Sequence, residues 1–253
     1  MPTTHVLAVA NQKGGVAKTT TVASLGAALA DLGQKVLLID LDPQACLTFS
    51  LGIDPEDLDI SVHHVLTKGL DPAEAIIETE DGVDLLPATI ELARAESDLL
   101  TRTGREYVIR TAVEDTESYD WVLLDCPPSL GVLTVAALTA ATGVLIPLQC
   151  ETLSLRGVGQ LLDTVHDVRR FTNRDLVVWG VLPTLYDGRT NHARAVLETI
   201  SETYDLDVIE PPIPKSIRFA EAPAAGRSIL RTSRSNKGAQ AYRDVAAGLL
   251  NRN

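Results

Sequence analysis

Aromatic side chains are scarce in this chain: Phe, Tyr and Trp together supply 4% of its 253 residues. With 45% of the sequence hydrophobic, the core must be built from Leu, Val, Ile and Ala, as covered parallel sheets usually are. Cysteine is scarcer still. Cys46, Cys126 and Cys150 are odd in number and lack C-x-x-C spacing, which excludes a disulfide framework and a zinc knuckle and fits a reducing cytoplasm. Export signals are missing as well, since the apolar run 5–10 before Lys13 is too short for the core of a signal peptide. The uncharged stretch 130–150 is interrupted by Gly131, Gly143 and Pro147, so it reads as a buried helix and a buried strand rather than a membrane span. Internal repeats and linkers rich in Pro, Gly or Ser are also lacking, and a single domain over residues 1–253 is expected.

What the chain has in excess is negative charge, a formal net of −12, which argues against wholesale attraction to DNA or anionic lipid. The distribution is uneven. From Ile213 to Arg243 seven basic residues (Lys215, Arg218, Arg227, Arg231, Arg234, Lys237 and Arg243) face one acid, Glu221, so this segment carries +6 and the remainder −18. Short apolar runs of strand type at 5–10, 35–40, 82–88, 119–125, 143–149 and 176–183 alternate with stretches of helical period at 19–32, 154–171, 189–204 and 236–250. A further helix is expected over 89–100. This alternation predicts an α/β fold, a mostly parallel twisted sheet with helices on both faces.

The segment "NQKGGVAKTT" (11–20) follows the first strand and opens the first long helix, the context a phosphate-binding loop requires. In the pattern G-x-x-x-x-G-K-[ST], Gln12 and Ala17 stand at the two glycine positions, yet Gly14 and Gly15 still allow close backbone approach. Lys18 sits where β- and γ-phosphates are cradled, and the Thr19 hydroxyl is placed to ligate magnesium. A Cβ at Ala17 costs about 1–2 kcal/mol if the backbone there is left-handed, and little otherwise. Two further strands end in acids at the carboxyl edge of the sheet: "VLLIDLDPQ" (36–44) supplies Asp40 and Asp42, and "WVLLDCPPSLG" (121–131) supplies Asp125. A P-loop NTPase is the reading.

These motifs, with "DGRTNHA" and "IPKSIRFAEAPAAGRSI" after them, make the sequence resemble the ParA/Soj partition ATPases, the deviant Walker A class of the MinD/ParA superfamily, along essentially the whole chain. The resemblance implies ATP and Mg2+ as cofactors, with Gly14, Gly15, Val16, Ala17, Lys18, Thr19 and Thr20 cradling the nucleotide. It also implies that Thr19 and Asp125 serve the metal, and that Asp42, with Asp40 nearby, positions the attacking water. Pro212 and Pro214, in "PPIPKS", should lie against the adenine. Lys13, the extra lysine, should reach the nucleotide of a second subunit, so that ATP closes a homodimer. Arg189 and Arg218 match the family's non-specific contacts to double-stranded DNA, with Lys215, Arg227, Arg231, Arg234 and Lys237 as weaker candidates. A ParB-type partner that stimulates hydrolysis, a cytoplasmic, nucleoid-associated location and the lack of an N-terminal helix-turn-helix region complete the expectation.

Three other functions compete. A membrane-positioning ATPase of the MinD kind needs a basic amphipathic tail, which "YRDVAAGLLNRN" (242–253) does not offer, and no membrane partner is expected. A metal-cluster carrier on the same fold needs paired cysteines. A nucleotide-gated scaffold without useful turnover shares every motif above. His63 and His64 are adjacent and so do not share a helix face, and Cys46 has no functional account.

Overall fold

The computed structural model describes residues 4–116, 119–151 and 154–251. Among them lie seven strands: β1 (His5–Val9), β2 (Val36–Asp40), β3 (Ile77–Glu78), β4 (Asp84–Leu86), β5 (Trp121–Asp125), β6 (Gly143–Gln149) and β7 (Val177–Thr184). They form one sheet in the order β3-β4-β2-β5-β1-β6-β7, parallel throughout except for β3, which pairs antiparallel with β4. All six strands expected from the apolar runs are present. β3 carries no sequence signal, because a two-residue edge strand ending in Glu78 has no room for a period.

The α-helices among the described residues are α1 (Lys18–Asp31), α2 (Cys46–Ser50), α3 (Val62–Lys68), α4 (Leu92–Leu100), α5 (Val108–Glu114), α6 (Val132–Ala140), α7 (Ser154–Phe171), α8 (Asn191–Tyr204), α9 (Arg218–Glu221), α10 (Ile229–Thr232) and α11 (Lys237–Leu250). Local chemistry marks their ends. Thr190 accepts from the Ala193 amide at the start of α8, Asn236 accepts from the Gly238 amide at the start of α11, and Gly33 takes φ 84° after α1. The uncharged stretch 130–150 resolves into α6 and β6, as its composition implied.

Side-chain alternation along the strands divides the core in two. Val6, Ala8, Leu37, Ile39, Val122 and Leu124 face one layer, where Leu133 of α6 and Val158, Leu161 and Val165 of α7 cover them. Leu7, Val9, Leu38, Trp121 and Leu123 face the other, under Val22, Leu25 and Leu29 of α1 and Tyr242, Val245 and Leu249 of α11. The apolar face of α11 is thus spent on the core; Arg252 and Asn253 of the tail lie outside the described residues. No helix among the described residues is long and apolar enough to cross a membrane. With both faces covered, the open edge of the sheet is at the carboxyl ends of β1, β2 and β5, which are stitched by Leu41 N–H to Asp125 O (3.1 Å) and Cys126 N–H to Val9 O (3.3 Å).

Candidate functional site

From the end of β1 the chain turns through residues 10–17 into α1. Asn11 anchors this turn, donating from Nδ2 to the Pro147 carbonyl (2.8 Å) and accepting at Oδ1 from the Lys13 amide (3.0 Å). The Thr184 hydroxyl, at the end of β7, holds it from the side by donating to the Val16 carbonyl (2.9 Å). Gly14 and Gly15 are exposed, Gly15 takes φ 74°, and a Cβ built on either would meet no atom within 4 Å. Their bareness keeps clear the space that a bound phosphate needs. Ala17 also falls in the left-handed region (φ 65°, ψ 34°), so the costlier of its two alternatives applies. α1 starts without a side-chain cap and without an acid in its first turn, which leaves its amides and positive end to an anion.

Parallel register sets Asp40 beside Asp125, both fully buried. Asp40 is well satisfied: Oδ2 accepts from the Thr48 amide (2.9 Å) and hydroxyl (2.8 Å), and Oδ1 from the Asp42 amide (3.1 Å). Burial nevertheless pushes it up to about 6, against those donors. Asp125 differs, since neither of its oxygens has a hydrogen-bond partner at bonding distance. Burial first and the like charge of Asp40 second raise it well above the usual carboxylate range, and the nearby Thr19 hydroxyl and Lys18 oppose this more weakly. A buried carboxylate with both oxygens orphaned suits a hard cation, which would satisfy the oxygens and favour their charged form. Thr19 and Asp125 fit magnesium on that ground.

Lys18 is buried, donates to the Lys13 carbonyl (3.3 Å), and has its proton affinity lowered by burial, with Asp125 the main opposing charge. Asp42 is half-buried at the same edge, its Oδ1 accepting from the Gln44 amide (3.0 Å). Lys13 points elsewhere: its Nζ pairs with Glu151 at 2.5 Å on the protein's surface. Above the loop opens a cleft of about 590 Å³, lined by Gly15, Ala17, Lys18, Thr19 and Thr20, by Cys46 and Ser50, and by Leu185, Lys215, Ser216, Ile217, Phe219 and Ala220. Pro212 and Pro214 are half-buried and stand outside that lining; Pro214 pairs with Tyr186, and the three residues after it reach the cleft.

A family model described as an AAA domain matches residues 4–178. The sporulation initiation inhibitor protein Soj of Bacillus subtilis is 43% identical over 95% of this chain and 96% of its own. The chromosome-partitioning ATPase Soj of Thermus thermophilus is 44% identical over 97% of this chain and 95% of its own. The chain belongs to the ParA/Soj family of partition ATPases. A solved Mycobacterium smegmatis structure described as cobyrinic acid a,c-diamide synthase, with bound ADP and magnesium, superimposes with a TM-score of 0.88 at 54% identity, covering 98% of this chain and 94% of that one. The same protein is known with an ATP analogue and magnesium.

The ParA/Soj basic residues are not equivalent in this fold. Arg189 is 91% exposed and pairs with its neighbour Asp187 (2.8 Å), whose carboxyl it pulls down to about 2. Arg218 is half-exposed and pairs with Glu221 on α9 (2.7 Å), while Lys215 is exposed at the cleft. Arg227 pairs with Glu80, and Arg231 is largely buried, bonded to Asp31 (2.7 Å) and to the Asp81 carbonyl (2.6 Å). These last two pin the C-terminal segment to the body of the protein. Thr48, Glu151 and Leu185, which holds φ 50° at the cleft, escaped the sequence reading. None belongs to a local motif, and each gains its place only through tertiary contact.

Proposed function

We propose that this chain is an ATPase that dimerises around ATP, holds DNA non-specifically in that state, and lets go when a partner stimulates hydrolysis. One observation carries the reading: Lys18, the orphaned Asp125 and Asp42 converge on one sheet edge, while the ammonium of Lys13, on the same loop, is engaged at the surface by Glu151. Lys18 and the α1 amides bind the phosphates, the Leu185–Ala220 wall takes the nucleoside, and Asp42 orients the attacking water. Thr19 and Asp125 would hold magnesium, which would supply neutralisation of phosphate charge. Phosphoryl transfer depends on such positioning and on cations at the γ-phosphate, for which a lysine or arginine from a second molecule is worth about 10³ to 10⁵ in rate. Lys13 is that cation when it leaves Glu151 for the partner's nucleotide, so the separate monomer hydrolyses slowly. Arg189 and Arg218 contribute to DNA contact in pairs once two subunits join, which lets a chain of net charge −12 hold a polyanion. A ParB-type partner, a cytoplasmic site of action on the nucleoid, and chromosome or plasmid segregation follow from the family.

The M. smegmatis structure suggests a second reading, amide synthesis on a carboxylate. Glutamine-dependent nitrogen transfer uses a thiolate nucleophile. Here burial pushes Cys126 and Cys150 up, and burial with the charge of Asp42 does the same to Cys46, the opposite of activation. ATP turnover measured alone, with DNA and with cobyrinic acid separates the two. Size-exclusion chromatography with light scattering in ATP and in ADP, and DNA retention at low salt, complete the test. Monomers in ATP, or DNA retention that ignores the nucleotide, would overturn the partition mechanism; stimulation by cobyrinic acid alone would establish the other.

A further inference from the structure

We propose that Thr48 is a positioning residue for ATP hydrolysis, setting the place of Asp42 through Asp40. This rests on the assignment of Asp42 to the attacking water. α2 has five residues and starts at Ala45 in a left-handed conformation (φ 51°) with no side-chain cap. So short a helix is not stable by itself. Its third amide, that of Thr48, donates instead to Asp40 at the end of β2, which is a helix cap delivered from another element. The Thr48 hydroxyl, wholly buried, donates to the same Asp40 oxygen (2.8 Å) and accepts from the Ala88 amide (3.0 Å) in the segment after β4. Asp40 uses its other oxygen to receive the Asp42 amide (3.1 Å).

The chain of bonds therefore runs from Ala88 through Thr48 and Asp40 to the backbone of Asp42. Every link is buried except the last, and none touches the cleft. A group that only packed the core would need a methyl and no more. This one uses both capacities of a hydroxyl, donor and acceptor, on two other elements of the fold. Losing it strips Asp40 of one of its three donors and leaves the Ala88 amide without that acceptor, so the 41–48 segment is held to the sheet edge by its backbone bonds alone and less firmly. Asp42 then binds its water in a spread of positions, and the chemical step slows while phosphate binding by the loop at 11–20 does not.

The test compares Thr48→Val, nearly isosteric but without the hydroxyl, with Thr48→Ser, which keeps it. Each is made in the wild-type chain and in Asp42→Ala, with ATP affinity and kcat measured under partner-free conditions. Thr48→Val is expected to hold ATP within about threefold of wild type while kcat falls about tenfold or more, and Thr48→Ser to recover most of that loss. In the Asp42→Ala background Thr48→Val should cause no further fall in kcat, because residues acting as one unit are not additive. If Thr48→Val does not fold, Asp40→Asn carries the same comparison with Asp42→Ala. Wild-type kcat in Thr48→Val, failure of Thr48→Ser to recover, or an equal fall with and without Asp42 would each overturn the proposal. If Asp42→Ala itself turns over as wild type, the assignment of the water to Asp42 is wrong and the proposal falls with it, a result distinct from the other three.

Discussion

Ala17→Gly should make the protein more stable. Ala17 occupies the left-handed region (φ 65°, ψ 34°) as the residue before α1, with no side-chain hydrogen bond to recover the cost. Removing its Cβ relieves about 1–2 kcal/mol of steric conflict. Against this, glycine enlarges the unfolded ensemble, a loss of about 0.4–1 kcal/mol. The net is a stabilisation of about 1 kcal/mol, which for a chain of this length is a rise of about 2–4 °C in Tm. Reversible urea unfolding without nucleotide, read by far-UV circular dichroism, measures it directly. Gly15→Ala supplies the mirror image: φ is 74° and no atom beyond the adjoining backbone lies within 4 Å of the added Cβ, so any loss comes from the left-handed conformation itself and not from packing. Stability of Ala17→Gly equal to or below wild type, or Gly15→Ala without cost, would refute the strain argument.

Lys13→Ala should keep nucleotide affinity, because its ammonium pairs with Glu151 rather than facing the cleft, yet form no ATP-dependent dimer in light scattering and lose about 10³-fold or more in stimulated turnover. Arg189→Ala or Arg218→Ala should weaken ATP-dependent DNA retention at low salt and flatten its salt dependence by about 0.9 per lost phosphate contact, read from filter binding across a salt series. Arg231→Ala should instead lower the urea midpoint, since that guanidinium is largely buried and bonded to Asp31 and Asp81. Cys46, exposed in the cleft, should react with a maleimide before Cys126 and Cys150, and ATP should protect it; burial holds Cys150 up to about 11 and Cys126 higher.

Much of this molecule is legible along the chain because the relevant physics is local. Apolar runs of five to eight residues announce all the parallel strands, since a strand covered on both faces can carry little else. The phosphate loop is readable because glycines, lysine and threonine must follow one another at fixed spacing to surround one anion. Thr190, Asn236 and Gly33 mark helix ends by chemistry within four residues. β3, α2, α3, α5, α9 and α10 were not legible, being too short for a period to repeat.

Only the tertiary structure decided the rest. The order of strands brings Asp40 and Asp125, 85 positions apart, into register, and the shared burial of two carboxylates gives Asp125 its raised proton affinity. Asp40, read from its motif as one of the catalytic acids, is given by its neighbours the work of an anchor, because Thr48 and the Asp42 amide occupy both its oxygens. The basic C-terminal segment, uniform as a charge count, divides into Arg227 and Arg231, tied to Glu80, Asp31 and Asp81 far along the chain, and Arg218, paired at the surface with Glu221 of its own helix. Composition sets how much charge a segment carries, but which charge is free depends on what the fold places beside it.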